Sequence, residues 1–166
     1  MHPNEIVRFI SYSVLSHAEH PTKESHAFRK WDNRTPYGIH PVWCAMTLLQ
    51  ETALPDELRE AGAEALLFHD ILEDTTANLP EDTNHRVRGL VEGMTFAGSN
   101  EEMEHVWERS PEIRLLKLYD KVSNLLDGVW MDAEKLERYR AHTRRLTDDV
   151  ESRYGLLNIV RIARAL

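Results

Sequence analysis

The chain has 166 residues, 42% of them hydrophobic and 29% charged, a size and balance that suit one soluble globular domain with its own core. Its formal charge of −8 argues against a broad basic face for nucleic acid, although a local cluster of cations still suits a small anionic ligand. The single cysteine, Cys44, excludes an intrachain disulfide, and no apolar run reaches the length of a membrane span. The expected setting is the cytoplasm, with no membrane and no nucleic acid as partner.

Ile6, Val7, Ile10, Val14 and Leu15 recur at helical spacing and predict an amphipathic helix over 4–19, with Asn4 as its N-cap. Residues 20–38 hold Pro21, Asn33, Pro36 and Gly38 around a basic kernel, Arg29-Lys30, and predict a loop. His40-Pro41 opens a second helix that continues to about Thr52, with Pro41 suited to the first turn. Cys44 sits in its apolar pattern and is expected as a packed thiol. A third helix starts at Pro55-Asp56 and runs into Leu66–Thr75. Further helices are expected over 82–94, near 100–108, from Pro111 to about Val129, over 132–150 and over 152–165. Nothing alternates with period two over a useful length, so the expected fold class is all-α. No repeat or linker divides the chain, so 1–166 is expected as one domain.

The stretch Leu66-Leu67-Phe68-His69-Asp70-Ile71-Leu72-Glu73-Asp74-Thr75 ends an apolar run with an imidazole and three carboxylates. Such groups are costly to bury unless they are paired or coordinate a metal. Glu73 lies four residues after His69, and Asp74 four after Asp70, so a continuous helix would stack each pair on one side. Asp120 is set among Leu116, Leu118, Tyr119 and Val122 where a core helix should be apolar, with Asn124 one turn later. His40 completes a mixed set with His69, Asp70 and Asp120. Two nitrogens and two oxygens suit Mn, Fe, Zn or Co better than Ca. Taken singly, each of these residues is more often structural than catalytic; their joint pattern is what carries weight.

Three motifs occur in order: Thr35-Pro36-Tyr37-Gly38-Ile39-His40-Pro41, then Leu67-Phe68-His69-Asp70-Ile71-Leu72-Glu73-Asp74-Thr75, then Lys117-Leu118-Tyr119-Asp120-Lys121-Val122-Ser123-Asn124-Leu125. In this order they resemble the HD-domain phosphohydrolases. The likeness is strongest to the hydrolase domain of the RelA/SpoT family and its small stand-alone members, which remove the 3′-pyrophosphate from guanosine tetra- and pentaphosphate. The resemblance implies a single helical HD domain with a metal site between core helices. It implies His40, His69, Asp70 and Asp120 as ligands of one divalent ion. Mn2+ is the usual ion, with Zn2+, Co2+, Fe2+ and Mg2+ as alternatives. Glu73 and Asp74 match the acidic pair that handles the attacking water. Arg29 and Lys30 match contacts around the base, Asn124 a residue near the nucleoside, and Lys135 with Tyr139 a pair facing substrate phosphates. The implied partner is a small-molecule nucleotide; assembly into a homo-oligomer is left open.

Phe28 and Trp31 could shape the base pocket, packing being the commoner role for each. The chain also departs from the family. Tyr119 stands where a small residue is common. Glu101-Glu102-Met103-Glu104-His105 is acidic where the family often supplies lysine or arginine to the distal phosphates. A deoxynucleoside triphosphate triphosphohydrolase of phage type or a 5′-nucleotidase on the same core is the alternative enzyme. A module that senses a nucleotide without turning it over is the non-enzyme alternative.

Overall fold

The computed structural model describes residues 2–22 and 27–166; the part of the expected loop at 23–26 lies outside the described residues. The helices are α1 (Pro3–Glu19), α2 (Ile39–Leu49), α3 (Asp56–Phe68), α4 (Ile71–Asp74), α5 (His85–Met94), α6 (Ser99–His105), α7 (Pro111–Leu126), α8 (Ala133–Tyr154) and α9 (Asn158–Arg164). Short 3-10 turns cover Val106–Glu108 and Gly128–Trp130. There is no strand among the described residues, only isolated bridges at Pro21–Thr75 and Phe28–Pro36, so the all-α expectation holds.

Helix ends differ from expectation where a distant or unusual group supplies the cap. Asn4 does not cap α1. Pro3 already occupies the first turn, where its missing N–H costs nothing, and His2 is the cap. The His2 imidazole accepts from the Asn4 N–H at 3.3 Å, and the Glu5 carboxylate accepts the His2 N–H at 2.7 Å. Ser110 caps α7 by accepting from the Ile113 N–H, with Pro111 at the first position. The helix expected to stop at 150 runs on to Tyr154 and ends at Gly155, whose φ of 80° is the left-handed conformation glycine adopts at no steric cost.

The last helical stretch before the acidic pair is also not continuous. The ladder of α3 stops at Phe68, His69 and Asp70 form a turn, and α4 starts at Ile71. The stacking of His69 on Glu73 and Asp70 on Asp74 expected for one helix is therefore replaced by a turn that presents all four side chains. Two bonds brace that turn against the end of α1: Thr22 N–H to Asp74 O at 3.0 Å and Thr76 N–H to His20 O at 2.8 Å.

Helix α7 is the axis of the core. It packs against α2, α3, α5, α8 and α9, and Leu115, Leu116, Leu118, Tyr119 and Val122 are fully buried on it. Burying each such side chain contributes roughly 2 kcal/mol. Close approach of α3 needs Gly62, since a Cβ there would sit 2.7 Å from Leu48 Cδ2 and 3.0 Å from Leu116 Cδ2. Phe9 and Tyr12 of α1 meet Phe68 edge-on at 5.5 and 6.0 Å, which seats α1 on the end of α3.

Glu51, just after α2, is buried and holds three elements together. Its carboxylate accepts from the Tyr119 hydroxyl at 3.1 Å and from the Asn158 and Ile159 N–H groups at 3.0 and 2.9 Å. It thus caps α9, which has no cap of its own. The departure at Tyr119 has a structural use here. Glu51→Ala leaves three donors without an acceptor, the Tyr119 hydroxyl and Ile159 N–H among them buried, and each buried loss costs about 1–3 kcal/mol. A drop of about 4 kcal/mol in urea unfolding is expected; a change under about 1 kcal/mol would contradict this role.

Candidate metal centre and active-site cleft

Three elements deliver the cluster. His40 comes from the first turn of α2, His69 and Asp70 from the turn after α3, and Asp120 from the middle of α7. The loop before α2 is set by Asp32, whose carboxylate accepts from the N–H groups of Arg34 and Thr35 and from the Thr35 hydroxyl. Backbone bonds from Arg29 N–H to Thr35 O and from Tyr37 N–H to Ala27 O fold it back on itself. This places Arg29 and Tyr37 beside the cluster.

His40 Nε2 and His69 Nε2 approach to 3.3 Å, and His40 Nε2 lies 3.4 Å from Asp120 Oδ1. Ligand atoms of His40, His69 and Asp120 all fall within 4.8 Å of one another, and all three residues are buried. Asp70 borders this trio, with Oδ1 3.1 Å from His69 Nε2 and Oδ2 3.4 Å from His40 Nε2. Each ring is held from behind. His69 Nδ1 faces the Leu66 carbonyl at 2.8 Å, which only accepts, so Nδ1 carries the proton and a neutral ring turns its Nε2 lone pair inward. His40 Nδ1 is 2.8 Å from Ser123 Oγ. Burial pushes the His40 imidazole below its ordinary pKa, which favours the neutral form. Converging imidazole lone pairs and carboxylates in a buried site call for a cation, and this donor set fits a divalent ion of the Mn–Zn series.

The outer contacts fix the carboxylates. Tyr37 donates its hydroxyl to Asp70 Oδ2 at 2.7 Å, and Asn124 donates to Asp120 Oδ1 at 2.6 Å. Arg29 in turn donates to Asn124 Oδ1 at 3.1 Å and pairs with Asp127 at 2.5 Å. Burial alone would raise the Asp120 carboxyl, but Lys121 and Lys117, at 3.2 and 3.3 Å from Oδ2, hold it well below the usual carboxylate range. Both lysines also bind Glu102 Oε2, at 2.9 Å from Lys117 and 2.8 Å from Lys121.

Above the cluster lies a cleft of about 310 Å³. Asp70 and Asp120 reach its floor, while His40 and His69 lie beneath it. Glu73 and Asp74 line one wall. Glu73 Oε1 accepts the Phe96 N–H at 2.9 Å, which aims the carboxyl. Burial first, then the nearby Asp70, raise the Glu73 carboxyl to about 7, against the opposing pull of Lys117. The same two causes raise the Asp74 carboxyl to about 6.

All five residues expected to contact substrate, Arg29, Lys30, Asn124, Lys135 and Tyr139, line this cleft. Arg29 is buried and committed to Asp127 and Asn124, whereas Lys30 and Lys135 are paired with no carboxylate among the described residues. Both ammoniums instead sit by the Trp130 ring, at 4.7 and 4.4 Å from its centroid. Of the two aromatics singled out from sequence, Phe28 lines the cleft. Trp31 does not; it faces a separate apolar groove with Ile39, Trp43 and Val129. Sequence reasoning missed Trp130, Ser99 and Glu102 as cleft residues. The helix expected to end near Val129 ends instead at Leu126, and the following 3-10 turn swings Trp130 inward.

No family model matches the chain. It is 35% identical over 109 residues to guanosine-3′,5′-bis(diphosphate) 3′-pyrophosphohydrolase MESH1 of Mus musculus, covering 60% of this chain and 59% of that protein. The Homo sapiens MESH1 gives the same identity and coverage. The guanosine-3′,5′-bis(diphosphate) 3′-pyrophosphohydrolase of Aquifex aeolicus is 30% identical over 150 residues, 82% of this chain and 21% of its own length. The chain therefore spans less than two thirds of the length of these curated relatives. Among solved structures, that of a metazoan ortholog of SpoT that hydrolyzes ppGpp superposes with a TM-score of 0.73 at 21% identity, over 99% of this chain and 94% of the other. No described helix is long and apolar enough to cross a membrane. By sequence the chain is similar to the guanosine-3′,5′-bis(diphosphate) 3′-pyrophosphohydrolases, the MESH1 proteins among them, and it shares the all-α fold of the solved SpoT ortholog.

Proposed function

We propose that the chain is a divalent-metal-dependent nucleotide phosphohydrolase that acts on guanosine 3′,5′-bis(diphosphate) or a close analogue, the substrate its relatives are named for. The observation that carries this is the convergence of His40, His69 and Asp120 beneath a cleft walled by two carboxyls of raised pKa. His40, His69, Asp70 and Asp120 would hold the ion, with Mn2+ our first choice. When bound, such an ion polarises a phosphoryl oxygen and makes water more acidic.

The side chains divide the remaining work. A carboxyl with a pKa of about 7 exists in both forms at neutrality, the condition under which a general base is most effective. Glu73 therefore takes the proton of the attacking water, and Asp74 beside it orients that water. The water oxygen forms the new bond to phosphorus, and the ester oxygen leaves with the bonding pair. Tyr37 keeps Asp70 from turning, and the Asp127–Arg29–Asn124 chain does the same for Asp120. Lys30 and Lys135, which have no carboxylate partner among the described residues, meet substrate phosphate charge together with the Tyr139 hydroxyl. Phe28 and Trp130 offer apolar faces to the base.

Chelator-stripped protein given guanosine 3′,5′-bis(diphosphate) with Mn2+ should release pyrophosphate. Absence of any phosphate product from this or other nucleotides, with Mn2+, Co2+, Zn2+, Fe2+ or Mg2+, would leave the sensing module as the better reading. Triphosphate released from a deoxynucleoside triphosphate in its place would favour the alternative enzyme.

A further inference from the structure

The cleft has two unlike ends. At one end stand Phe28, Lys30 and Trp130, aromatic faces with an ammonium 4.7 Å over the Trp130 ring. At the other stands α6, which presents Ser99 and Glu102. Glu73 belongs to the second end, since its carboxylate accepts from the Phe96 N–H just before α6. A nucleotide with its base on the aromatic faces and its reacting phosphorus over the cluster would therefore point the far side of its scissile arm at Glu102.

Glu102 is not a solvated surface acid. It is 4% exposed, and its Oε2 receives both Lys117 and Lys121, at 2.9 and 2.8 Å. Its Oε1 stands 3.9 Å from His142 Nε2. The two lysines are shared with Asp120, so two ammoniums face two carboxylates and the group is neutral as it stands. No surplus positive charge is left there for an incoming anion, and Glu102 itself repels one.

We propose that Glu102 is a specificity determinant that sets how many phosphates the scissile arm carries: by holding Lys117 and Lys121 it denies them to the outer phosphate of a diphosphate arm, and the cleft prefers a nucleotide whose scissile arm is a single phosphate monoester. This rests on the phosphohydrolase reading above and adds the class of leaving group. In the favoured reaction, water oxygen bonds to phosphorus, the ester oxygen–phosphorus bond breaks, the freed hydroxyl keeps one proton and orthophosphate leaves. With a diphosphate arm the same bond breaks and pyrophosphate leaves, more slowly.

The test compares guanosine 5′-diphosphate 3′-monophosphate with guanosine 3′,5′-bis(diphosphate), both with Mn2+, on the wild-type chain and on Glu102→Gln. Wild type should show kcat/KM at least about 10-fold higher for the monoester, the scale of one unfavourable like-charge contact. Glu102→Gln should reduce that preference about 10-fold or more, through gain on the diphosphate arm. Both substrates are read on the same active fraction, so partial unfolding of the variant leaves the ratio unmoved. The wild-type ratio also stands as a test should the variant not fold. Equal rates, or a wild-type preference for the diphosphate arm, would overturn the inference while leaving the phosphohydrolase reading intact. A ratio unchanged in folded Glu102→Gln would remove Glu102 from specificity. No turnover of either probe by wild type would overturn the reading that the chain acts on guanosine 3′,5′-bis(diphosphate) or a close analogue, and the inference with it.

Discussion

Asp120→Asn is expected to lose the ion and the activity together while keeping most of its helix content. Oδ1 of Asp120 faces His40 Nε2 at 3.4 Å, and Asn124 holds it there. Loss of an outer-shell partner typically costs ~10–100-fold in metal affinity, so loss of a charged donor to the ion should exceed ~100-fold. There is a second effect. Oδ2 faces Lys117 and Lys121, which are buried and would keep Glu102 as their shared ion-pair partner. Removing one partner of a buried pair costs about 3–5 kcal/mol, and the lower end applies because Glu102 stays. The expected variant is folded, less stable by about 3 kcal/mol, and inactive. Ion binding by calorimetry, with helix content by circular dichroism, checks both parts; full activity would remove Asp120 from the site.

Glu73→Gln separates chemistry from ion binding. Glu73 is not among the converging donors, so the ion should still bind. Loss of a general base typically slows turnover by ~10²–10⁴-fold. A second consequence concerns stability without metal. Burial raises the Glu73 carboxyl from its ordinary 4.5 to about 7, so in that window the native chain holds a proton that the unfolded chain has released. A carboxyl held in this way loses stability as pH rises from 4.5 through 7. Glutamine has no proton to lose. Stripped Glu73→Gln should therefore melt above wild type at pH 8 and level with it near pH 4. An unchanged rate would clear Glu73 of a role in catalysis, and equal melting at both pH values would contradict its burial as a strained acid.

Elements with local signals were legible in the sequence. Pro41 in the first turn of α2, Pro55-Asp56 at the start of α3 and Pro111 at the start of α7 place those starts within a residue or two. What was not legible came from partners far along the chain. The boundary between the helices expected over 132–150 and 152–165 falls at residue 151. Asp149, however, pairs with Arg114 of α7 and with Arg153, and the helix persists to Gly155. The turn at His69-Asp70 has no glycine or proline to announce it. Glu51 caps a helix more than 100 residues away.

The candidate site shows the same division. His40, His69, Asp70, Asp120 and the acidic pair could be read as a motif, and they do assemble around one cleft. Glu102 read as one charge in an acidic run; only the fold brings Lys117 and Lys121 onto it from the next long helix. Trp130 was hidden by a helix end placed three residues too late. The end of the cleft beside α6 is where spacing along the chain says least, because its charges are neutralised across helices.

Titration of chelator-stripped protein with Mn2+, followed on the same samples by ion binding and by product release from a guanosine nucleotide, bears most directly on the metal-dependent reading. One tight ion per chain, turnover rising in step with its binding, and loss of both in Asp120→Asn are expected. Turnover that persists in excess chelator, or tight binding unchanged in Asp120→Asn, would contradict it.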